Sequence, residues 1–170
     1  MADTKTLLES DKFFHIFNHA VGNEYLFKSS SNYQFFLKRL NEYLHKYIDI
    51  YAYCLMANHF HLVVKIKCSN EILTEFGKNN YNEKEVKSTG SDQVPKIISR
   101  QFSHFFNSYA QAFNKENKRK GSLFNNRFKR IHIDTVDYLR RVIIYVHNNP
   151  VKAGIVHSPA MWDYSSFNSV

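Results

Sequence analysis

The segment HFHLVVKI, residues 59–66, sets two imidazoles two positions apart. In an extended strand alternate side chains face opposite sides. Phe60, Leu62, Val64 and Ile66 then make a wholly apolar face that asks for burial, while His59, His61, Val63 and Lys65 point the other way. Two neutral imidazoles on one face can grip a single divalent ion. The same triplet also arises as ordinary half-exposed strand histidines in a chain that has nine of them. Zinc hydrolysis is a rival metal chemistry and would want a third strong ligand beside the pair. Cys54 and Cys68 are available and not diagnostic, and the chain has no CxxC signature. No HxT triplet occurs, which disfavours a two-histidine phosphoesterase of that kind.

A second set of candidates lies in TVDYLRRVIIYVHNN, residues 135–149. At helical periodicity Leu139, Val142, Ile143 and Val146 form a core stripe, and Tyr138, Tyr145 and Asn149 fall on one flank of it. Ile144 lies off the stripe and weakens a simple amphipathic pattern. Tyr145 and Asn149 are at i and i+4, with about 5–6 Å between their Cβ atoms, so a phenol and an amide oxygen can reach one site. The plain alternative is a tyrosine at the core edge and an asparagine ending a helix before Pro150. A third set is basic. Residues 115–152 carry ten Lys or Arg against three Asp or Glu, and Lys118, Arg119, Lys120, Arg127, Lys129 and Arg130 are the phosphate-binding candidates. A solvated loop at KENKRKG is the competing reading.

The elements that position these residues follow from periodicity and punctuation. Residues 13–21 (FFHIFNHAV) read as a strand, with Phe13 and Phe14 breaking strict alternation. Residues 30–46 read as a helix with Phe36, Leu37, Leu40 and Leu44 at helical spacing and Ser30 to Asn32 able to cap it. Residues 47–57 and 59–66 are strands about a turn at Ala57-Asn58. Pro95 opens a helix to about Asn114, striped by Phe102, Phe106, Tyr109 and Phe113. Residues 128–133 form a strand. Asp134 or Thr135 caps a final helix to about Asn149, and the tail packs back through Trp162. Residues 67–94 are polar, carry four Lys against five Asp or Glu, and read as a mobile insertion with a short helix near Ile72 to Phe76. The order matches an α+β, ferredoxin-like, mostly antiparallel sheet with helices on its faces and one helix added at the C-terminal end.

Composition bounds the rest. A length of 170 residues suits a single domain, and 44% apolar residues supply a core. A net charge of +8 and a pI near 9.4 point toward a polyanion, nucleic acid or an acidic membrane surface. The N-terminal MADTKTLLES lacks a signal-peptide pattern and no stretch reaches a membrane span, so a cytoplasmic protein with free thiols is expected.

Three segments together carry a resemblance. YCLMANHFHLVV resembles the histidine–apolar–histidine (HUH) motif of single-tyrosine transposases. YVHNNPVKAGIV resembles the tyrosine segment of their REP-associated subgroup, and GSLFNNRFKR, WDYSSF and FHIFNHAVGNEYLF resemble its flanking and N-terminal segments. Nearly the whole chain is covered apart from residues 67–94. Ala57 stands where proline is usual and Asn148 where an apolar residue is usual; neither is a catalytic position. The resemblance implies that His59 and His61 bind Mg²⁺ or Mn²⁺ with Asn149 as third ligand. It implies Tyr145 as nucleophile, forming a covalent 5′-phosphotyrosine in DNA cleavage and strand transfer. It also implies single-stranded, hairpin-forming DNA as partner and favours a monomer, with a homodimer left open; no membrane partner is expected from a chain without a long apolar stretch. The alternatives are a family member that binds DNA without cutting it and a ferredoxin-like RNA-binding module; no RNP1-like segment favours the latter.

Overall fold

The computed structural model describes residues 4–79 and 93–169. Four strands, β1 (Phe13–His19), β2 (Ile48–Met56), β3 (His59–Ile66) and β4 (Lys129–Ile133), form one sheet in the order β2-β3-β1-β4. Every neighbouring pair is antiparallel. This is the split βαβ, ferredoxin-like α+β arrangement expected from the element order.

Helices α1 (Ser30–Leu44) and α3 (Val94–Glu116) cover one face of the sheet. In α1 the buried residues Tyr33, Phe36, Leu40 and Leu44 keep helical spacing, and Ser29, one residue before the expected caps, accepts from the Asn32 amide. Helix α3 starts with Pro95 in its first turn and buries Phe102, Phe105, Phe106, Tyr109 and Phe113. Against them the sheet presents Phe14, Ile16, Phe60, Leu62, Val64 and Ile66, all essentially inaccessible. Aromatic rings fill much of this layer, with Phe36 packed 5.3 Å from Phe60 and 4.9 Å from Phe105 between centroids.

Helix α4 (Val136–His147) covers the other face, capped by Thr135, whose hydroxyl accepts from the Tyr138 amide. Val142 and Val146 pack on Ala52, Cys54, Met56, Val63 and Ile133, and Leu139 and Ile143 complete the contact. Ile144 is 60% exposed, which explains why it sits off the apolar stripe. With both faces covered, a strand needs no polar side. Phe13 can therefore face α4's side, against Tyr51, while Phe14 enters the α1–α3 core. The β2–β3 register slips between Ile50 and Ala52, leaving Tyr51 as an extra residue. That bulge sends Ala52, Cys54 and Met56 to the α4 face.

A four-residue helix, α5 (Asn149–Lys152), follows α4 and turns off at Gly154, whose φ is +68°. The final helix thus breaks at Asn148 rather than running on to Asn149. The C-terminal segment returns along β2, as expected from Trp162, whose indole N–H donates to the Leu55 carbonyl at 3.0 Å.

Part of the expected insertion is regular structure. Helix α2 spans Ser69–Asn79, longer than the turn expected near Ile72 to Phe76, because Ile72, Leu73 and Phe76 pack into the main core and Ile72 is fully buried. Residues 93–94 belong to the start of α3. The rest of that expectation, residues 80–92, lies outside the described residues. Both cysteines are free, Cys54 buried and Cys68 partly so, and no helix among the described residues is long and apolar enough to cross a membrane.

Candidate active site

Strand β3 holds His59 and His61 on the α4 side of the sheet, opposite the buried Phe60 and Leu62. The β1 register places His19 beside His59 and Phe17 beside His61. The His19 and His59 rings stack with centroids 4.7 Å apart. His15, one step along β1, brings its Nε2 to 2.9 Å from His61 Nδ1. His59 Nδ1 lies 2.7 Å from Asn58 Oδ1 at the hairpin turn.

Helix α4 delivers the other side of the site. The Tyr145 ring stands edge-on to His61 at 5.5 Å and to His15 at 6.0 Å between centroids, and it is 40% exposed. One turn on, the Asn149 side chain comes up to both His59 and His61, and its amide N–H donates to the Tyr145 carbonyl at 3.3 Å. The Lys152 ammonium lies 4.9 Å from the centre of the Tyr145 ring. Tyr138, His15, Phe17, Ile131, Arg141 and Val142 extend the site into a groove of about 360 Å³ beside Tyr145. A larger groove of about 690 Å³ lies on the α3 side, lined by residues such as Asn18, Asn107, Gln111 and Arg127. It contains neither Tyr145 nor any of the four histidines, so chemistry rather than volume selects the smaller one.

Electrostatics keep the imidazoles neutral. Burial pushes His61 down to about 2, helped by His15, His59 and His19 and opposed by the nearby Asn149 side chain. Burial also lowers His15 to about 4. His59 is lowered by burial and by His19, and His19 by burial and by the Lys129 ammonium. Neutral imidazole is the form that binds a metal.

The donor set suits a divalent ion. His59, His61 and the Asn149 amide oxygen are the residues that would hold it. Among the described residues no three His, Cys, Asp or Glu side chains are grouped to hold a metal ion, and the further polar side chain beside His59 and His61 is the Asn149 amide. Cys54 pairs with His61 in the β2–β3 register, but burial holds its thiol up at about 12.

The basic candidates divide. Lys118, Lys120, Arg127 and Lys129 are exposed, and Lys129 pairs with Phe17 on the histidine side of the sheet. Arg119 instead forms a bidentate ion pair with Glu24 and also bonds Asn114 and the Ser122 carbonyl. Arg130 is 6% exposed, donates to Ser99 and the Thr4 carbonyl, and lies over the Phe128 ring. Those two are engaged within the fold, whereas the other four face solvent.

The fold has a solved counterpart. It is similar to a REP-associated tyrosine transposase solved bound to a REP hairpin, with a TM-score of 0.66, 15% identity, and 99% of this chain and 84% of the other covered. No family model matches the chain, and no curated protein matches it in sequence. At that identity the likeness shows the fold.

Sequence reasoning passed over His15, His19 and Lys152. A signal for the first two was present: His15 and His19 share parity in FFHIFNH, so both face one side of β1. Which strand lies beside that side is a tertiary fact. Lys152 was counted within the basic stretch, and its approach to Tyr145 depends on the break between α4 and α5.

Proposed function

We propose that this protein is a metal-dependent single-stranded DNA endonuclease and strand transferase that acts through Tyr145. The observation that carries the reading is the meeting of α4 and β3. A partly exposed phenol and an amide one turn apart stand against two neutral histidines, His61 buried and His59 half-buried. The similarity in fold to a transposase bound to a REP hairpin supports a hairpin-forming DNA as substrate.

When bound by His59, His61 and Asn149, Mg²⁺ or Mn²⁺ would withdraw charge from the scissile phosphate and orient it. Neutral imidazoles and an amide add no negative charge to that ion. Tyr145 supplies the nucleophile: its oxygen attacks phosphorus, the bond to the 3′-oxygen breaks, and that oxygen leaves with a proton as a 3′-hydroxyl. The resulting 5′-phosphotyrosine keeps the phosphate activated, so another 3′-hydroxyl can displace the tyrosine and join strands. Lys152, beside the Tyr145 ring, sets a positive charge where the phosphate arrives. Tyr145 faces histidines of its own chain, which supports a reaction within one protomer. The exposed Lys118, Lys120, Arg127 and Lys129 supply sequence-independent attraction to the DNA backbone.

The test is adduct formation. Single-stranded hairpin DNA incubated with the protein and Mn²⁺ should yield a denaturation-resistant product with the DNA 5′-phosphate mapped to Tyr145. Tyr145→Phe should abolish it while DNA binding persists, and Tyr138→Phe should not. An adduct on Tyr138 would overturn the residue assignment. Cleavage with no adduct at any time would make water the nucleophile, and DNA binding without cleavage would leave a silent binding module.

A further inference from the structure

His15 is 6% exposed and belongs to no ligand set described above, yet its ring is placed with care. Its Nε2 lies 2.9 Å from His61 Nδ1. A single proton can occupy that contact, so one ring donates and the other accepts. His59 meets the same requirement through Asn58, whose side-chain oxygen lies 2.7 Å from His59 Nδ1. A carbonyl oxygen only accepts, so the His59 proton sits on Nδ1 and Nε2 keeps its lone pair. For His61 to offer its own Nε2, the nitrogen left on the Asn149 side, its proton must likewise sit on Nδ1.

Resting on the metal site proposed above, we propose that His15 is a positioning residue for His61: its Nε2 accepts the hydrogen bond from His61 Nδ1–H, fixing both the ring orientation and the tautomer that turns a lone pair toward the metal position. Ligating histidines generally need such a partner on the other ring nitrogen. An imidazole in that role differs from the usual carboxylate in adding no negative charge. The ion then stays a stronger Lewis acid, and the sheet interior holds no uncompensated anion. Phe17 packs on both rings, at 4.9 Å from His15 and 5.7 Å from His61, and limits their rotation. The two strands therefore build the site jointly, β3 giving the ligands and β1 orienting one of them.

The readout is spectroscopic and needs no activity. Long-range ¹H–¹⁵N spectra of the metal-free, histidine-labelled full chain should show His61 as the Nδ1–H tautomer. His15→Gln, whose amide oxygen can accept at the Nε2 position, should retain it. His15→Phe, which fills the space without a ring nitrogen, should shift His61 toward Nε2–H. In parallel, Mn²⁺ binding followed by electron paramagnetic resonance should weaken about 10–100-fold in His15→Phe and largely recover in His15→Gln. Wild-type His61 in the Nε2–H form overturns the assignment even if both variants fail to fold. Unchanged Mn²⁺ affinity in a folded His15→Phe overturns it too. A wild-type chain that binds no Mn²⁺ would instead sink the metal reading of the site, with the tautomer spectra still deciding the hydrogen bond.

Discussion

Lowering the pH should destabilise the metal-free protein well before its carboxylates titrate. His15 and His61 are 6% and 4% exposed and are held at about 4 and about 2, against about 6.5 in an unfolded chain. Both folded values lie below the unfolded one, so below pH 6.5 the unfolded chain takes up protons that the folded chain refuses. Their stabilisation is complete above pH 6.5 and drains away as pH falls through 6.5 toward 4 for His15, and further down for His61. At pH 5 each has lost about 2 kcal/mol relative to pH 7, about 4 kcal/mol for the pair. That is a large part of the roughly 5–15 kcal/mol typical of a domain. Burial lowers His59, His19 and His147 as well, which adds in the same direction. Urea unfolding followed by Trp162 fluorescence between pH 7 and pH 5 gives the slope directly. His15→Gln, which removes one of the two groups, should flatten it by about half of the pair's share. A midpoint that does not move between pH 7 and 5, or the same fall in the His15→Gln variant, would refute the claim that these imidazoles are buried neutral.

Other outcomes follow from the packing and the charge map. Phe60→Ala empties a fully buried ring position between α1 and α3 and should cost about 3–5 kcal/mol in chemical denaturation; a loss below about 1 kcal/mol would mean the layer re-collapses. Asn149→Ala should weaken Mn²⁺ binding by about tenfold or more with little change in unfolding midpoint, and equal affinity would remove the amide from the donor set. Neutralising Lys118, Lys120, Arg127 and Lys129 together should lower the salt slope of DNA binding by about 0.7 for each single-strand phosphate that the protein no longer neutralises. Arg119→Ala should instead lower thermal stability and leave that slope alone, because its guanidinium is engaged by Glu24, Asn114 and Ser122. A slope change in Arg119→Ala with intact stability would reverse the division.

What could be read in the chain was local. The alternation in HFHLVVKI sorts its eight residues onto two faces without knowledge of any neighbour, and the structure sorts them the same way. The spacing of Tyr145 and Asn149 needs one turn of helix, and even the break at Asn148 leaves them adjacent. The sheet order followed from the succession of elements. What could not be read depends on register and on tertiary partners. His15 meets His61 because β1 and β3 pair in one register out of several, and nothing in FFHIFNH states it. Arg119 and Arg130 look like Lys118 and Arg127 in sequence, since a charge bound to Glu24 and one facing water have the same letter. The Tyr51 bulge flips the face of half a strand, and alternation alone places Ala52 and Cys54 on the wrong side.

The returning C-terminal segment bears on the exposed edge of the sheet. Strand β2 lies at the rim of the sheet, with a stretch, YAYCLM, of the kind that invites another chain to add a strand. The outward backbone groups of Tyr53 and Leu55 are already matched from within. The Leu55 amide donates to the Tyr164 carbonyl at 2.9 Å, the Ser166 amide to the Tyr53 carbonyl at 3.0 Å, and the Tyr53 amide to the Ser166 hydroxyl at 2.9 Å. The same hydroxyl lies 2.9 Å from His147 Nε2, at the end of the helix that carries Tyr145. Deleting the segment from Trp162 onward would thus uncover a sticky rim and slacken the tyrosine helix at once, so that insolubility and lost cleavage would arrive together from a single cut far from the histidines.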